Sequence, residues 1–415
     1  MTAPLDGIRV VELASFVAAP AAGALLADLG AEVIKVEIPQ GELYRHSIPR
    51  RAGYRSEFPE APHFQMDNRG KRSLTLDLGR PAARRAFDRV LDRADVLLTN
   101  LLPGRLVRHA LDTATLRAER PALVIANLTG YGSEGPEADR PGFDYAAYWA
   151  RTGLMDQTRE PDAPPAFLRG GVGDHAAALA LSTGILAALR VRDRTGEGQS
   201  VGVSLLHMGF YILGNDAALA LATGQEPPRH RRESARNPLW NHYRTADDRW
   251  LFLVMIDSDR YWADFCEAVE RPEWRDDPRF EGAIPRYRNA EALCGLLAEL
   301  FAERTLADWE PLLDARRLIW APVRTLSEAL RDEQARLTGV FASVDHPVAG
   351  RYDTVAAPVT LSGHAMAGTR PAPALGADND AVLAEAGLTP DEIAEALGSS
   401  RQLPTTETKL TQRPG

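Results

Sequence analysis

Short aliphatic and β-branched runs alternate with Ala/Leu-rich stretches through the first two hundred residues. Residues 8–13 (IRVVEL) read as a strand, and residues 20–29 (PAAGALLADL) as a helix with Pro20 in its first turn. Gly30 ends that helix, and residues 31–37 (AEVIKVE) return to strand character. Residues 95–99 and 123–128 are further strands, separated by helical stretches. Strands that alternate with helices form mostly parallel sheets covered on both faces.

The same pattern divides the rest of the chain. A long apolar helix is expected at about 176–192, then a turn at 194–199 and a strand at 200–205. A polar, Arg-rich stretch at 225–236 breaks the alternation. Beyond it come a strand at 250–256, helices at 261–269 and 290–301, and strands near 341–345 and 355–361. Thr389-Pro-Asp-Glu392 has the capping-box spacing that opens a last helix. The expected organisation is an α/β protein: a large doubly wound domain from both chain ends (1–205 and 321–398), a linker (206–235), and a smaller α+β domain (236–320). A polar tail, 399–415, is expected to be disordered. No internal repeat is visible.

Composition narrows the function. Of 415 residues, 45% are hydrophobic and 25% charged, ordinary for a globular protein. The formal net charge of −9 argues against nucleic acid as a partner. Two cysteines, Cys266 and Cys294, are too few for a disulfide framework, and no metal-type Cys/His spacing surrounds them. The opening residues carry no signal-peptide pattern, and no uninterrupted apolar run approaches bilayer length, so no membrane and a cytoplasmic location are expected.

One segment stands out for chemistry: Arg169-Gly-Gly-Val-Gly-Asp174-His175, directly before the long apolar helix. Glycines let a backbone approach a ligand closely, and N–H groups at a helix start stabilise an oxyanion. A carboxylate placed there is positioned to attack an acyl carbon. The segment by itself is equally an acid capping a helix, and capping is the commoner role.

Several motifs together decide between those readings. GVGDHAAALALSTGILAALRVRDRTGEGQSV resembles the central signature of the class III CoA-transferase family (CaiB/BaiF type). PLDGIRVVELASFVAAPAAGALLADLGAEVIKVE, NRGKRSLTLDL, NLLPG and LTGYGSEGP resemble further motifs of that family, in its order, from about residue 4 to 398. The resemblance implies an acyl-CoA:carboxylate CoA-transferase, with coenzyme A thioester as substrate and no prosthetic group or metal. Asp174 would be the nucleophile, forming an aspartyl-acyl anhydride, with Asp144, Gly171 and Gly173 assisting. CoA would be held by Val17, Ala18, Lys71, Asn100 and Arg108. The partners would be an acyl-CoA donor, a carboxylic acid acceptor and a second copy of the chain in an interlinked-ring homodimer.

The chain departs from the family pattern in places. Ile38 stands where some members carry an arginine, and Arg45 is the nearby substitute. The stretch ARNPLWNHYRTADDRW (235–250) lacks the glycine-rich loop that shields the anhydride in some members. Trp240, Asn241 and Tyr243 there are either acyl-pocket residues or domain packing. Related α-methylacyl-CoA racemases carry a GHD sequence where this chain has Gly142-Phe143-Asp144, and Phe143 exchanges no proton. Racemase and silent CoA-binding readings are the alternatives. A dinucleotide-dependent oxidoreductase is disfavoured, because no GxGxxG follows the first strand.

Overall fold

The computed structural model describes residues 3–46, 58–363 and 370–398; the expected tail, 399–415, lies outside them. The described chain forms two compact units. Among the described residues, the large one takes those within 3–154, 168–217 and 339–398, and the small one residues 155–167 and 218–338.

The large unit is organised by a six-stranded parallel sheet in the order β3-β2-β1-β4-β5-β6. The strands are β1 (Arg9–Leu13), β2 (Glu32–Glu37), β3 (Arg72–Thr75), β4 (Val96–Thr99), β5 (Val124–Thr129) and β6 (Ser200–Ser204). Between them lie α1 (Ala18–Asp28), α2 (Pro62–Asn68), α3 (Pro81–Leu91), α4 (Pro103–Arg108), α5 (Thr113–Glu119), a short α6 (Leu154–Gln157) and α7 (Val172–Thr195); α8 (Leu205–Ile212) follows β6. Near-continuous apolar runs such as Val10–Val11 and Val96–Leu98 are buried on both faces, as parallel strands demand. One face packs on Ala19, Ala22 and Leu26 of α1 and Ala177, Leu181 and Ile185 of α7. The other packs on Ala83, Phe87 and Val90 of α3 and on Val382, Leu383 and Ile393 from the end of the chain. The sheet is thus doubly wound. Its order reverses between β1 and β4, and the crevice outside the carboxyl ends of those strands is where such sheets bind ligands.

The last described residues also close the β3 edge. Asp378 Oδ2 accepts the Ser73 N–H at 2.8 Å, and Asn379 Oδ1 accepts the Thr75 N–H at 2.8 Å. An open strand edge is a template for unwanted pairing, and these side chains occupy it.

The small unit has an antiparallel sheet, β7 (Trp240–Arg244), β8 (Trp250–Val254) and β9 (Trp320–Pro322). Its core gathers Tyr243, Leu253, Phe265, Leu297, Phe301 and Trp309.

Several boundaries differ from those the pattern suggests. Residues 206–223, expected as linker, are mostly helical, with α8 followed by Gly214–Thr223. The small unit reaches past 320 to 338 and includes 155–167. The strand expected at 355–361 lies earlier, at Gly350–Val355, in a hairpin with Phe341–His346. Gly350, at φ +73°, turns the chain there, and Pro358 offers no N–H to a ladder. Helix α7 is long and apolar enough to cross a membrane by length and composition. Its buried stripe instead packs on the sheet, and its last turn carries Arg192 and Arg194.

A buried charge cluster underlies β1. Lys35 Nζ meets Glu12 Oε1 at 3.0 Å and Glu42 Oε1 at 2.7 Å. Lys71 Nζ meets Glu12 Oε2 at 2.7 Å and donates to the Pro20 and Asp67 carbonyls and to Asn68 Oδ1. Burial works against the Lys35 charge, but Glu12, Glu42 and Glu37 outweigh it and raise its pKa. For Lys71 burial wins, with Lys35 adding repulsion, and its pKa is pushed down to about 8. Removing one partner of such a pair leaves an uncompensated buried charge. Lys71→Met is therefore expected to destabilise the protein by about 3–5 kcal/mol in urea unfolding, with part recovered in the Glu12→Gln/Lys71→Met double variant.

Candidate active site at the sheet switch point

The loop after β1, the loop after β4 and the end of β5 enclose a cavity of about 270 Å³, lined by Phe16, Val17, Ala18, Asn100, Arg105, Phe143 and Asp174 among others. The β1 loop is braced from below. Phe16 sits at φ +65°, an unusual conformation for a side-chain-bearing residue. Its N–H donates to Glu42 Oε2 at 2.6 Å. The Ser15 N–H donates to Asn100 Oδ1 at 3.1 Å, and Asn100 Nδ2 donates to the Ser15 carbonyl at 2.7 Å. Buried Lys35 holds Glu42, the carboxylate that holds this loop, and also donates to the Ala14 carbonyl at 3.0 Å.

Helix α7 delivers Asp174. Its cap residue is Gly171, in the left-handed region at φ +86°, with no side-chain cap. Gly173 lies so close to Tyr148 that a Cβ would stand 2.5 Å from the ring, so only glycine fits. The capping reading of Asp174 is overturned: it is the third residue of the helix, and its carboxyl makes no hydrogen bond among the described residues. Asp144 is the acid at the cap, its Oδ2 accepting the Gly171 N–H at 2.8 Å.

Burial first, and the Asp144 charge next, push the Asp174 pKa up to about 7; Asp67 also raises it, and His175 opposes the rise. An acid poised there is ionised in a large fraction of molecules near neutral pH, and its negative charge is not consumed by a structural partner. Tyr44 and His175 both meet Asp67, the tyrosine hydroxyl at 3.3 Å and the imidazole Nε2 at 3.0 Å.

Val17, Ala18, Asn100 and Asp174 share the cavity, with Asp144 and Gly171 at the turn that carries Asp174. Lys71 does not reach it. All its polar contacts are inward, to Glu12, Pro20, Asp67 and Asn68, so it is a core cation and not a phosphate partner. Arg108 points away along α4, its Nε donating to the Gly104 carbonyl, and Arg105, one turn earlier, lines the cavity instead. Arg45, the suggested substitute at Ile38, is buried in a bidentate pair with Glu37 and donates to the Pro373 carbonyl. In the small unit Tyr243 donates to the Pro238 carbonyl within the core, and Asn241 donates to the Arg232 carbonyl. Both are packing residues; only Trp240 is substantially exposed. Sequence reasoning missed Arg105, Phe16 and Asp67. Proximity of Arg105 to the end of β4 was a usable signal, whereas the pairing of Asp67 with His175, 108 positions apart, left none.

A wider depression in the small unit is lined by Arg249, Glu328, Arg331 and Asp332. Arg249 is paired there with Glu328 at 3.0 Å.

Comparison with known proteins settles the family. Residues 5–379 match CoA-transferase family III. The chain belongs to that family. It is 32% identical to the (R)-2-hydroxy-4-methylpentanoate CoA-transferase of Clostridioides difficile, over 94% of this chain and 97% of that one. It is 32% identical to the cinnamoyl-CoA:phenyllactate CoA-transferase of Clostridium sporogenes, over 94% and 95%. Among solved structures it resembles a CaiB/BaiF family protein from Brucella suis, with a TM-score of 0.82 and 30% identity, covering 93% of this chain and all of that one. The protein is accordingly a class III CoA-transferase, moving coenzyme A between carboxylic acids. The racemase alternative gains nothing from the coordinates: Phe143 packs edge-on against Phe16, with ring centroids 5.1 Å apart.

The raised Asp174 pKa carries a stability consequence. An acid whose folded pKa exceeds its unfolded value binds its proton more tightly when folded, so stability falls as pH rises between the two values. Those values are the ordinary 3.8 and about 7. Asp174→Asn is therefore expected to be more stable than the parent at about pH 8 and to lose that advantage below about pH 4, read as urea midpoints across pH.

Proposed function

We propose that this CoA-transferase works through a covalent acyl intermediate on Asp174. The observation that carries the reading is a carboxylate in the switch-point cavity with no structural partner, on a helix start whose turn is built by Gly171, Gly173 and Asp144. The ionised carboxylate attacks the thioester carbon of the acyl-CoA donor, the C–S bond breaks, and CoA leaves as thiolate, giving a mixed aspartyl anhydride. The acceptor carboxylate then attacks the aspartyl carbon of that anhydride and displaces the donor acid as its carboxylate, which leaves an anhydride between Asp174 and the acceptor. The thiolate attacks the acceptor's acyl carbon, forming the new thioester and freeing the Asp174 carboxylate, so one thioester is swapped for another with little net change in free energy.

The β1 loop at Val17 and Ala18 and the β4 loop at Asn100 form the walls along which CoA lies, and Arg105 is the cation for its phosphates. Charge-assisted contacts of that kind contribute about 1.5–3 kcal/mol each. Asp144 fixes the Gly171 turn, and the α7 N–H groups favour the developing negative charge. The chain works as an interlinked dimer in this reading. Supporting it are the exposed Tyr211 and Ile212 of α8 and the helix Gly214–Thr223, which buries none of its residues in the single chain and exposes Leu219 and Leu221.

Two variants separate chemistry from binding. Asp174→Ala should lower transfer between any productive acyl-CoA and acid by roughly four orders of magnitude or more while CoA affinity persists. Arg105→Ala should do the reverse, raising KM for the acyl-CoA about tenfold or more with kcat largely kept. Retained turnover in Asp174→Ala, in steady-state assays, contradicts the reading.

A further inference from the structure

Three acids converge at the candidate site: Asp174 on α7, Asp144 before the turn and Asp67 on α2. Against Asp67 stands a base able to hold a positive charge, His175. Its Nε2 lies 3.0 Å from Asp67 Oδ1, and Asp67 is almost fully buried at 2% exposure while the imidazole stays 41% exposed. The other edge of the ring lies over the glycine turn. Nδ1 is 3.6 Å from the point where a Gly171 Cβ would be.

We propose that Asp67 and His175 are a positioning pair for the nucleophile: His175 carries a positive charge that cancels Asp67, so Asp174 faces one uncompensated carboxylate, Asp144, instead of two. The inference rests on the reading of Asp174 given above and names what regulates its charge. Like charges near a carboxylate disfavour its ionised form, and an attacking carboxylate must be ionised. A buried Asp67 without a cation would oppose that ionisation directly. The hydrogen bond to Asp67 raises the His175 pKa, with Asp174 adding to it and burial opposing.

The other ionisable groups facing this cluster come from each packed element. Tyr44, on the turn Leu43–His46, meets Asp67 Oδ2 at 3.3 Å. His63, on the same helix as Asp67, has its pKa lowered chiefly by burial, with Asp67 opposing. Tyr148 lies beneath Gly173, and burial raises its pKa. Arg105 lines the same cavity as Asp174. The His175 contact with Asp67, at 3.0 Å, is shorter than that of Tyr44, at 3.3 Å.

A structural tie between α2 and α7 would use the same contact, and the two roles diverge on substitution. Gln at 175 keeps a donor for Asp67 and loses the charge; Arg or Lys keeps the charge. The test is carboxyl 13C NMR of the full-length protein labelled at Asp, with Asp174→Asn identifying the Asp174 signal. In the parent Asp174 titrates near 7. His175→Gln is expected to move that midpoint up by about one pH unit or more, and His175→Asn to do the same. His175→Arg or His175→Lys leaves it near the parent value, and Asp67→Asn/His175→Gln brings it back toward that value. An unchanged midpoint in His175→Gln, or in His175→Asn should the Gln variant not fold, overturns the inference.

The same samples, treated with acyl-CoA and hydroxylamine, keep the two ideas apart. A shifted midpoint with no acyl uptake at Asp174 upholds the pair and removes the nucleophile. Acyl uptake with an unshifted midpoint does the opposite.

Discussion

The hydrogen bond from the Gly171 N–H to Asp144 is the contact on which the site depends. It holds a left-handed turn at φ +86° directly before α7, and that turn decides which way the first residues of the helix face. With Gly171 as cap and Asp144 satisfying its N–H, Asp174 is released from capping duty and its carboxyl is left for chemistry. The same contact sets the electrostatics. It brings a second carboxylate beside Asp174, in a half-buried position, and the two effects together hold Asp174 protonated well above the ordinary aspartate range. The Asp174 carboxyl is therefore placed and restrained by one arrangement.

The rest of the fold serves the walls of the cavity. A doubly wound sheet opens a crevice where strand order reverses, between β1 and β4. Here the β1 loop carries Phe16 in an uncommon conformation, and such a conformation persists only where its surroundings enforce it. Glu42, Asn100 and the Lys35 ammonium do so, through the Phe16 N–H, the Ser15 backbone and the Ala14 carbonyl. Buried lysines and glutamates are an expensive way to build a core. Under a ligand-binding loop they supply directional contacts that aliphatic side chains cannot.

Much of this was legible in the sequence, and the failures are instructive. The alternation of β-branched runs with Ala/Leu-rich stretches gave strands β1, β2, β4, β5 and β6 to within a residue or two, because parallel strands are apolar on both faces. Strand β3, Arg-Ser-Leu-Thr, has only four residues and one strongly apolar side chain, so periodicity passed over it. Asp174 was singled out through glycines and family motifs, and the structure puts it in the switch-point cavity. Lys71 and Arg45 were misassigned because a motif lysine or arginine looks the same in sequence whether it faces a phosphate or a buried glutamate. Only the three-dimensional partners, Glu12 for Lys71 and Glu37 for Arg45, decide. Arg108 turns back to the Gly104 carbonyl while Arg105 lines the cavity, and the Asp67–His175 contact depends on packing between two helices that no local pattern encodes.

The central claim is that Asp174 becomes acylated. The most direct measurement is mass spectrometry of the protein after incubation with a panel of acyl-CoA thioesters in the presence of hydroxylamine, followed by peptide mapping. The account predicts a hydroxamate on the peptide carrying Asp174, formed with productive thioesters only and absent from Asp174→Asn. Catalytic CoA transfer with Asp174 unmodified, or a hydroxamate on another acid, would contradict it.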